Sequence, residues 1–238
     1  MYARGDLEME EHTLIVGLAQ ALADPLRLSI LQHLMEGPAT VSELMSLTEA
    51  TQSKVSNHLA LLRERKLVRA TRDRRQIVYT LHDASVGQLI ESLSLVAGVV
   101  PARQGKSPQM IAARTCYDHL AGRYGVALFD ALLYQQAITA PSEQRGNVEL
   151  GLRGEEVFGK LGLDLGAVRS LRRRFAFACP DWTERRPHLG GALGGALWRQ
   201  LVERGWIVKQ QGTRATIVTE EGKQQLQKHF GIQVSEKH

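Results

Sequence analysis

The sequence predicts an α+β protein, mainly α with small β-hairpins, and three observations carry that prediction. Apolar residues recur at helical spacing through the first sixty positions, capping residues punctuate those runs, and short alternating strands bracket a turn crowded with arginines. With 238 residues, 43% of them hydrophobic, the chain is long enough for two or three small cores rather than one. Composition shifts divide it into residues 1–98, a Gly/Pro-rich linker over 99–109 and a second region over 110–238.

Leu14, Leu18, Ala21 and Leu22 predict a first amphipathic helix over residues 11–23 that packs or dimerises. Asp24-Pro25 supplies a cap and a favoured first helical residue for a second helix, with Leu28, Leu31, Leu34 and Met35 as its apolar face and Gly37-Pro38 as its stop. Thr40-Val-Ser-Glu43 has the form of a capping box opening a short helix through Leu47. After a turn over 48–51, with Thr51 as the expected cap, Val55, Leu59 and Leu62 define the buried stripe of a further helix. Its other face shows Gln52, Ser53, Ser56, Asn57 and Arg63, with Lys54 at the edge. These are short hydrogen-bonding groups that reach base edges, flanked by cations that reach phosphates. Leu67 to Leu81 alternate around Asp73-Arg-Arg-Gln76, a two-stranded hairpin whose basic tip carries Arg72, Arg74 and Arg75. Helix, helix, turn, helix, hairpin is a winged helix-turn-helix.

Charge agrees with that reading. Lys and Arg exceed Asp and Glu only by 30 to 25, but residues 63–75 alone hold Arg63, Arg65, Lys66, Arg69, Arg72, Arg74 and Arg75 against Glu64 and Asp73. Such an island is the footprint of a phosphate-facing surface, and a solvated loop is its bland alternative. Two cysteines are too few for a disulfide framework and suit a reducing compartment, and no apolar run approaches the ~20 residues that cross a bilayer, so a cytoplasmic protein without a membrane partner is expected.

The stretch Leu18–Leu93 resembles the ArsR-type winged-helix regulators through ALADPLRLSILQHL, TVSEL, TQSKVSNHLALLRERKLV and QIVYTL. The resemblance implies a homodimer that binds double-stranded operator DNA, with the helix from Gln52 in the major groove, the wing on the backbone and no cofactor needed for DNA binding. It also implies a metal or small-molecule effector. The family's frequent thiol site before the recognition helix corresponds here to Thr40–Leu44, which has no thiol, and His82, Asp83 and Glu91 after the wing lack the paired spacing of its zinc sensors. An arginine stands where the wing turn often has glycine. CYDHLAGRYGV and DWTERRPHLGGALGGAL resemble a long-tailed subgroup of the same family.

Beyond residue 101 the chain is basic, with 20 Lys and Arg against 13 Asp and Glu. Helical periodicity marks 111–121 and 126–138. Segments 147–163 and 215–232 resemble each other faintly, and 196–219 repeats the helix–strand–turn–strand order of the first wing, with its turn at Gly212. Degenerate winged-helix-like repeats are therefore expected in an effector or dimerisation region.

Cys116 and His119 would lie one turn apart on the predicted helix, and Cys179 and His188 add a second thiol and imidazole. By ligand type this is a competent tetrahedral set, although the spacing is unlike a closed finger; redox sensing and buried structural roles are the alternatives. Arg174, Arg186 and Trp182 interleave cations with aromatics as a site for an anionic aromatic ligand would, and as a solvated charge run also does. The GGALGGAL run lacks the Lys-Ser/Thr end of a phosphate loop and follows no predicted strand, so close helix packing is expected of it. Cys116 with His119 has no orienting third group in sequence, and none of the nucleophile-elbow, dinucleotide, metalloprotease or deaminase signatures occurs, so no enzyme is predicted. A winged-helix module that binds proteins instead of an operator is the rival class.

Overall fold

A computed structural model describes residues 4–99, 107–143, 145–210 and 213–234. The chain divides into two compact units, residues 1–92 and 93–238.

The first unit runs α1 (Arg4–Leu22), α2 (Pro25–Leu34), β1 (Ala39–Thr40), α3 (Val41–Thr48), α4 (Gln52–Glu64), β2 (Val68–Asp73), β3 (Gln76–Leu81) and α5 (Ala84–Val96). Local chemistry sets each boundary. The Asp24 carboxylate accepts from the Arg27 amide, and Thr40 with Glu43 forms the complete capping box. Glu49, left-handed at φ 53°, ends α3 and turns the chain toward α4. Thr51 occupies the cap position of α4 without making the side-chain bond expected of it.

Ile30, Leu31 and Leu34 of α2, Leu44 of α3 and Val55, Leu59 and Leu62 of α4 close one core over Leu67, Val68 and Leu81 of the hairpin. Each such side chain contributes about 1.5–3 kcal/mol by leaving water. The sheet is antiparallel in the order β1-β3-β2; β1 had no signature in the sequence, since two residues are too short for a pattern. Asp73 pairs with Gln76, which leaves Arg74-Arg75 as a two-residue turn with Arg74 at φ 51°. The arginine standing in for glycine thus accepts a left-handed backbone at the wing tip.

The second unit is a duplication. Its first copy comprises hairpin β4 (Arg114–Cys116) and β5 (His119–Ala121), α7 (Gly122–Tyr134), a bridge between Ile138 and Leu150, and α8 (Gly154–Lys160). The second has hairpin β6 (Phe177–Pro180) and β7 (Pro187–Gly190), α10 (Gly191–Glu203), hairpin β8 (Ile207–Lys209) and β9 (Thr216–Val218), and α11 (Glu220–Phe230). Short helices α6 (Pro108–Ala112) and α9 (Leu165–Arg169) precede the copies. The exchange between copies is reciprocal: Arg114 bridges Ala215 in the second copy, and Phe177 bridges Asn147 in the first. One core, with Phe129, Leu132, Phe158, Leu161, Leu193, Leu201 and Trp206, runs through both.

Several expectations are corrected. Residues 111–121 are not a helix. The Ser107–Pro108 cap starts α6, Ala113 is already extended, and the chain then folds back at Tyr117, φ 60°. Most of both strands is buried, so their apolar residues do not alternate and the run mimics a helical stripe. The next helix spans 122–134 instead of 126–138. The GGALGGAL run does follow a strand, β7, and it opens α10 with every residue from Gly191 to Trp198 buried. The expected turn at Gly212, and most of the linker, lie outside the described residues.

Candidate functional site

In the first unit, Gln52, Ser53, Lys54, Ser56, Asn57 and Arg63 are all exposed along α4, as are Arg72, Arg74 and Arg75 at the wing. Among the described residues, none of these nine side chains has a hydrogen-bond or ion-pair partner within the protein. A polar helix face whose hydrogen-bonding capacity is unspent, beside unpaired cations, is prepared for a polar, anionic partner.

A knot that sequence reasoning missed positions the helix from behind. Arg27 donates to the carbonyls of Ala21 and Gln20 at the end of α1, its guanidinium lies 3.8 Å from Asp24, and it reaches 3.4 Å toward His58 Nδ1 on α4. The Arg27 amide, aided by His58, holds the Asp24 carboxyl below its usual range against partial burial. The signal available was the Asp-Pro cap followed by an arginine two residues on; the reach to His58 is tertiary.

In the second unit the structure brings together the four residues predicted as a ligand set, but not by the predicted route. Cys116 and His119 are not a helical pair: they face each other across the first hairpin, and Cys179 faces His188 across the second. One donor atom from each of the four lies within 4.8 Å of every other. The Sγ atoms are 3.9 Å apart, with no disulfide between them, and the imidazoles sit 5.1 Å centroid to centroid. Both rings are almost wholly buried, at 2% and 1% exposure, and neither Nε2 has a hydrogen-bond partner among the described residues. An unsatisfied buried nitrogen costs about 1–3 kcal/mol, so this pair needs a reason.

Each imidazole has a carboxylate at its other nitrogen. Asp181 Oδ2 lies 3.2 Å from His188 Nδ1, and Asp118 Oδ1 lies 3.5 Å from His119 Nδ1. Asp181 is itself fixed by Arg114 at 2.7 Å, by the Gly122 amide, and by the amide and hydroxyl of Thr183. Burial alone would raise its pKa, but the Arg114 charge and His188 hold the carboxyl far below the usual range. Burial likewise disfavours imidazolium at His188, yet Asp181 and the Cys116 sulfur push it up to about 9. Asp118 is pinned by Arg173 at 2.6 Å.

The glycines complete the reciprocity: a Cβ on Gly194 would stand 3.2 Å from His119 Cβ, and one on Gly125 would stand 3.4 Å from His188 Cβ. The tighter limit at each is a backbone carbonyl of its own copy, that of Leu189 for a Cβ on Gly194 and that of Leu120, 2.5 Å away, for one on Gly125, so the glycines seat each helix start against its own strand beside the other copy's histidine. The signal that finds all of this is a motif shared by both copies, Cys-x-Asp followed by His-Leu-x-Gly-x-x-Gly. It spans Cys116–Gly125 with no insertion and Cys179–Gly194 with extra residues between Asp181 and His188.

Arg174, Arg186 and Trp182 are turned to partners of their own. Arg174 donates to Asn147 and the Arg145 carbonyl and lies over Phe177, Arg186 pairs with Asp130, and Trp182 lies 4.5 Å from the Arg114 guanidinium.

Comparison with known proteins places this geometry. The family described as bacterial regulatory protein, arsR family, matches residues 24–70, from the Asp24 cap through α4 into β2. The uncharacterized HTH-type transcriptional regulator YdfF of Bacillus subtilis is 36% identical over 227 residues, covering 92% of this chain and 98% of its own, so the resemblance runs through both units. The HTH-type transcriptional regulator NmtR of Mycobacterium tuberculosis is 40% identical over 85 residues, 36% of this chain and 71% of its own. Among solved structures, NolR from Sinorhizobium fredii, 32% identical, covers 42% of this chain and 99% of its own with a TM-score of 0.38. The chain belongs to the ArsR family of bacterial regulators and is a winged helix-turn-helix, DNA-binding transcriptional regulator.

Proposed function

We propose that this regulator is a homodimeric repressor of the cytoplasm that reads a palindromic operator through α4 and is released by an effector taken up by residues 110–238. In this reading Gln52, Ser53, Ser56 and Asn57 meet base edges in the major groove, while Lys54, Arg63, Arg72, Arg74 and Arg75 neutralise phosphates. The observation that carries it is the α4 face, whose polar side chains are exposed and, among the described residues, without internal partners, next to the basic wing tip. Dimerisation is supported by Leu14, Ile15 and Val16 of α1, exposed at 69%, 55% and 53%, apolar surface spread round one turn of the helix that a second copy would partly cover. Two copies would also supply the two heads that a palindrome requires.

Selection of genomic fragments by the purified full chain tests the reading. A discrete inverted repeat should be enriched, with half-sites about one helical turn apart. Enrichment of nothing beyond bulk DNA would contradict it and favour a winged-helix module that binds proteins.

A further inference from the structure

We propose that Cys116, His119, Cys179 and His188 form a tetrahedral site for a thiophilic divalent cation of the zinc class, and that this cation is the effector of the regulator. The second clause rests on the operator reading above; the first does not. Four observations point to the ion.

The donor set is two thiolates and two imidazoles, which suits zinc-class ions and excludes calcium- or magnesium-type sites, whose ligands are oxygens. The spacing fits: sulfurs bound at about 2.3 Å in tetrahedral geometry stand roughly 3.8 Å apart, and here they are 3.9 Å apart. Both imidazoles are nine-tenths buried or more, and among the described residues neither Nε2 has a hydrogen-bond partner, while a carboxylate oxygen stands 3.2 Å from His188 Nδ1, which itself makes no well-formed hydrogen bond, and 3.5 Å from His119 Nδ1. That placement is the one a carboxylate–histidine–metal arrangement uses, with the carboxylate on the Nδ1 side and Nε2 left for the ion. Charge balances as well, since two thiolates neutralise a divalent cation in a pocket walled by Ala121 and Phe177.

The place of the site in the fold couples the two copies of the duplication. Each copy of the duplication contributes one thiolate and one imidazole from a single hairpin, so neither copy holds the ion alone. Occupancy joins the two hairpins, and any state of the unit that separates them is disfavoured when the ion is bound. Binding exchanges two S–H bonds, and any proton on Nε2 of either imidazole, for bonds to the cation; the protons leave to solvent, each Nδ1 keeps its proton and no oxidation state changes.

Cobalt(II) reports the geometry. Full chain stripped with chelator and titrated anaerobically with cobalt should reach a stoichiometric end point. It should show the strong visible bands of a tetrahedral site and the near-ultraviolet thiolate-to-metal band, and zinc should displace both. Cys116→Ser and Cys179→Ser should each lose the thiolate band or weaken it about twofold with loss of affinity. Asp118→Asn, on a residue that is 31% exposed and does not touch the ion, should weaken binding about 10–100-fold while the bands remain. Weak octahedral spectra, wild-type spectra in the cysteine variants, or air oxidation to a disulfide unaffected by saturating zinc would overturn the site. Should a cysteine variant misfold, the Asp118→Asn titration still decides.

The regulatory clause is read on the selected operator: zinc should change the affinity of wild type by about 5–150-fold and leave that of the double cysteine variant unchanged. Stoichiometric tetrahedral cobalt with no change in operator affinity would overturn the effector role alone. Failure to select any operator would remove the regulator reading and leave the cobalt spectrum to decide the site.

Discussion

At the scale of the residue, the first unit depends on a few side chains that cap, pin or face outward. Asp24 does two of these things, since it caps α2 and stands 3.8 Å from His58 on α4. Asp24→Ala should cost about 1 kcal/mol of stability in chemical denaturation near neutral pH. Its folded pKa is depressed, so the contribution is present above the ordinary carboxylate range and is lost as pH falls through the folded value. The gap between variant and wild type should therefore close in acid, and a gap constant with pH would remove the carboxylate from the cap. Asn57 is the outward case, exposed and, among the described residues, without internal partners. Asn57→Ala should relax preference at one operator position by about 1–3 kcal/mol; equal weakening on every operator variant would argue against base readout.

At the scale of the element, legibility tracked whether a segment carries its own chemistry. Helices α2, α3 and α4 were readable because Asp24-Pro25, the Thr40–Glu43 box and the Val55–Leu59–Leu62 stripe are local signals, and the structure keeps all three. The hairpin at 114–121 was not, because β5 is buried at every residue and its apolar run carries no period of two. Cys116 and His119 were therefore joined for the wrong reason, helical spacing instead of cross-strand pairing. The faint likeness of 147–163 to 215–232 was one end of a longer duplication, and unequal hairpin lengths hid the rest. Eight residues lie between Cys179 and His188 where two lie between Cys116 and His119. Asp181 went unread for the same cause, since Arg114 and His188 reach it only through the fold, and Asp118, although beside His119 in sequence, has its Arg173 partner 55 residues away. The small-residue start of α10 was read for close packing, and Gly194 makes that specific: any Cβ there would run into the Leu189 carbonyl. Gly194→Ala should destabilise the second unit by about 1–3 kcal/mol and lower its thermal midpoint; an unchanged midpoint would show that the α10 backbone is free to shift.

At the scale of the whole molecule, the two units divide the labour. The first presents a polar helix face and a basic wing, and the second gathers four buried donor groups through a duplication that neither half completes alone. The relative matching nearly the full chain, YdfF, shows that the pairing of units is not peculiar to this sequence. The central claim concerns the first unit: the face of α4 and the wing beside it bind duplex DNA. Affinity for the selected inverted repeat, measured by anisotropy across a series of salt concentrations, tests it most directly. Wild type should bind at least ~10³-fold tighter than it binds a scrambled duplex, and Arg74→Ala with Arg75→Ala, which removes two cations from each wing of the dimer, should reduce the slope of log affinity against log salt by about 4. Equal affinity for both duplexes, or a slope that the paired substitution leaves unchanged, would contradict it.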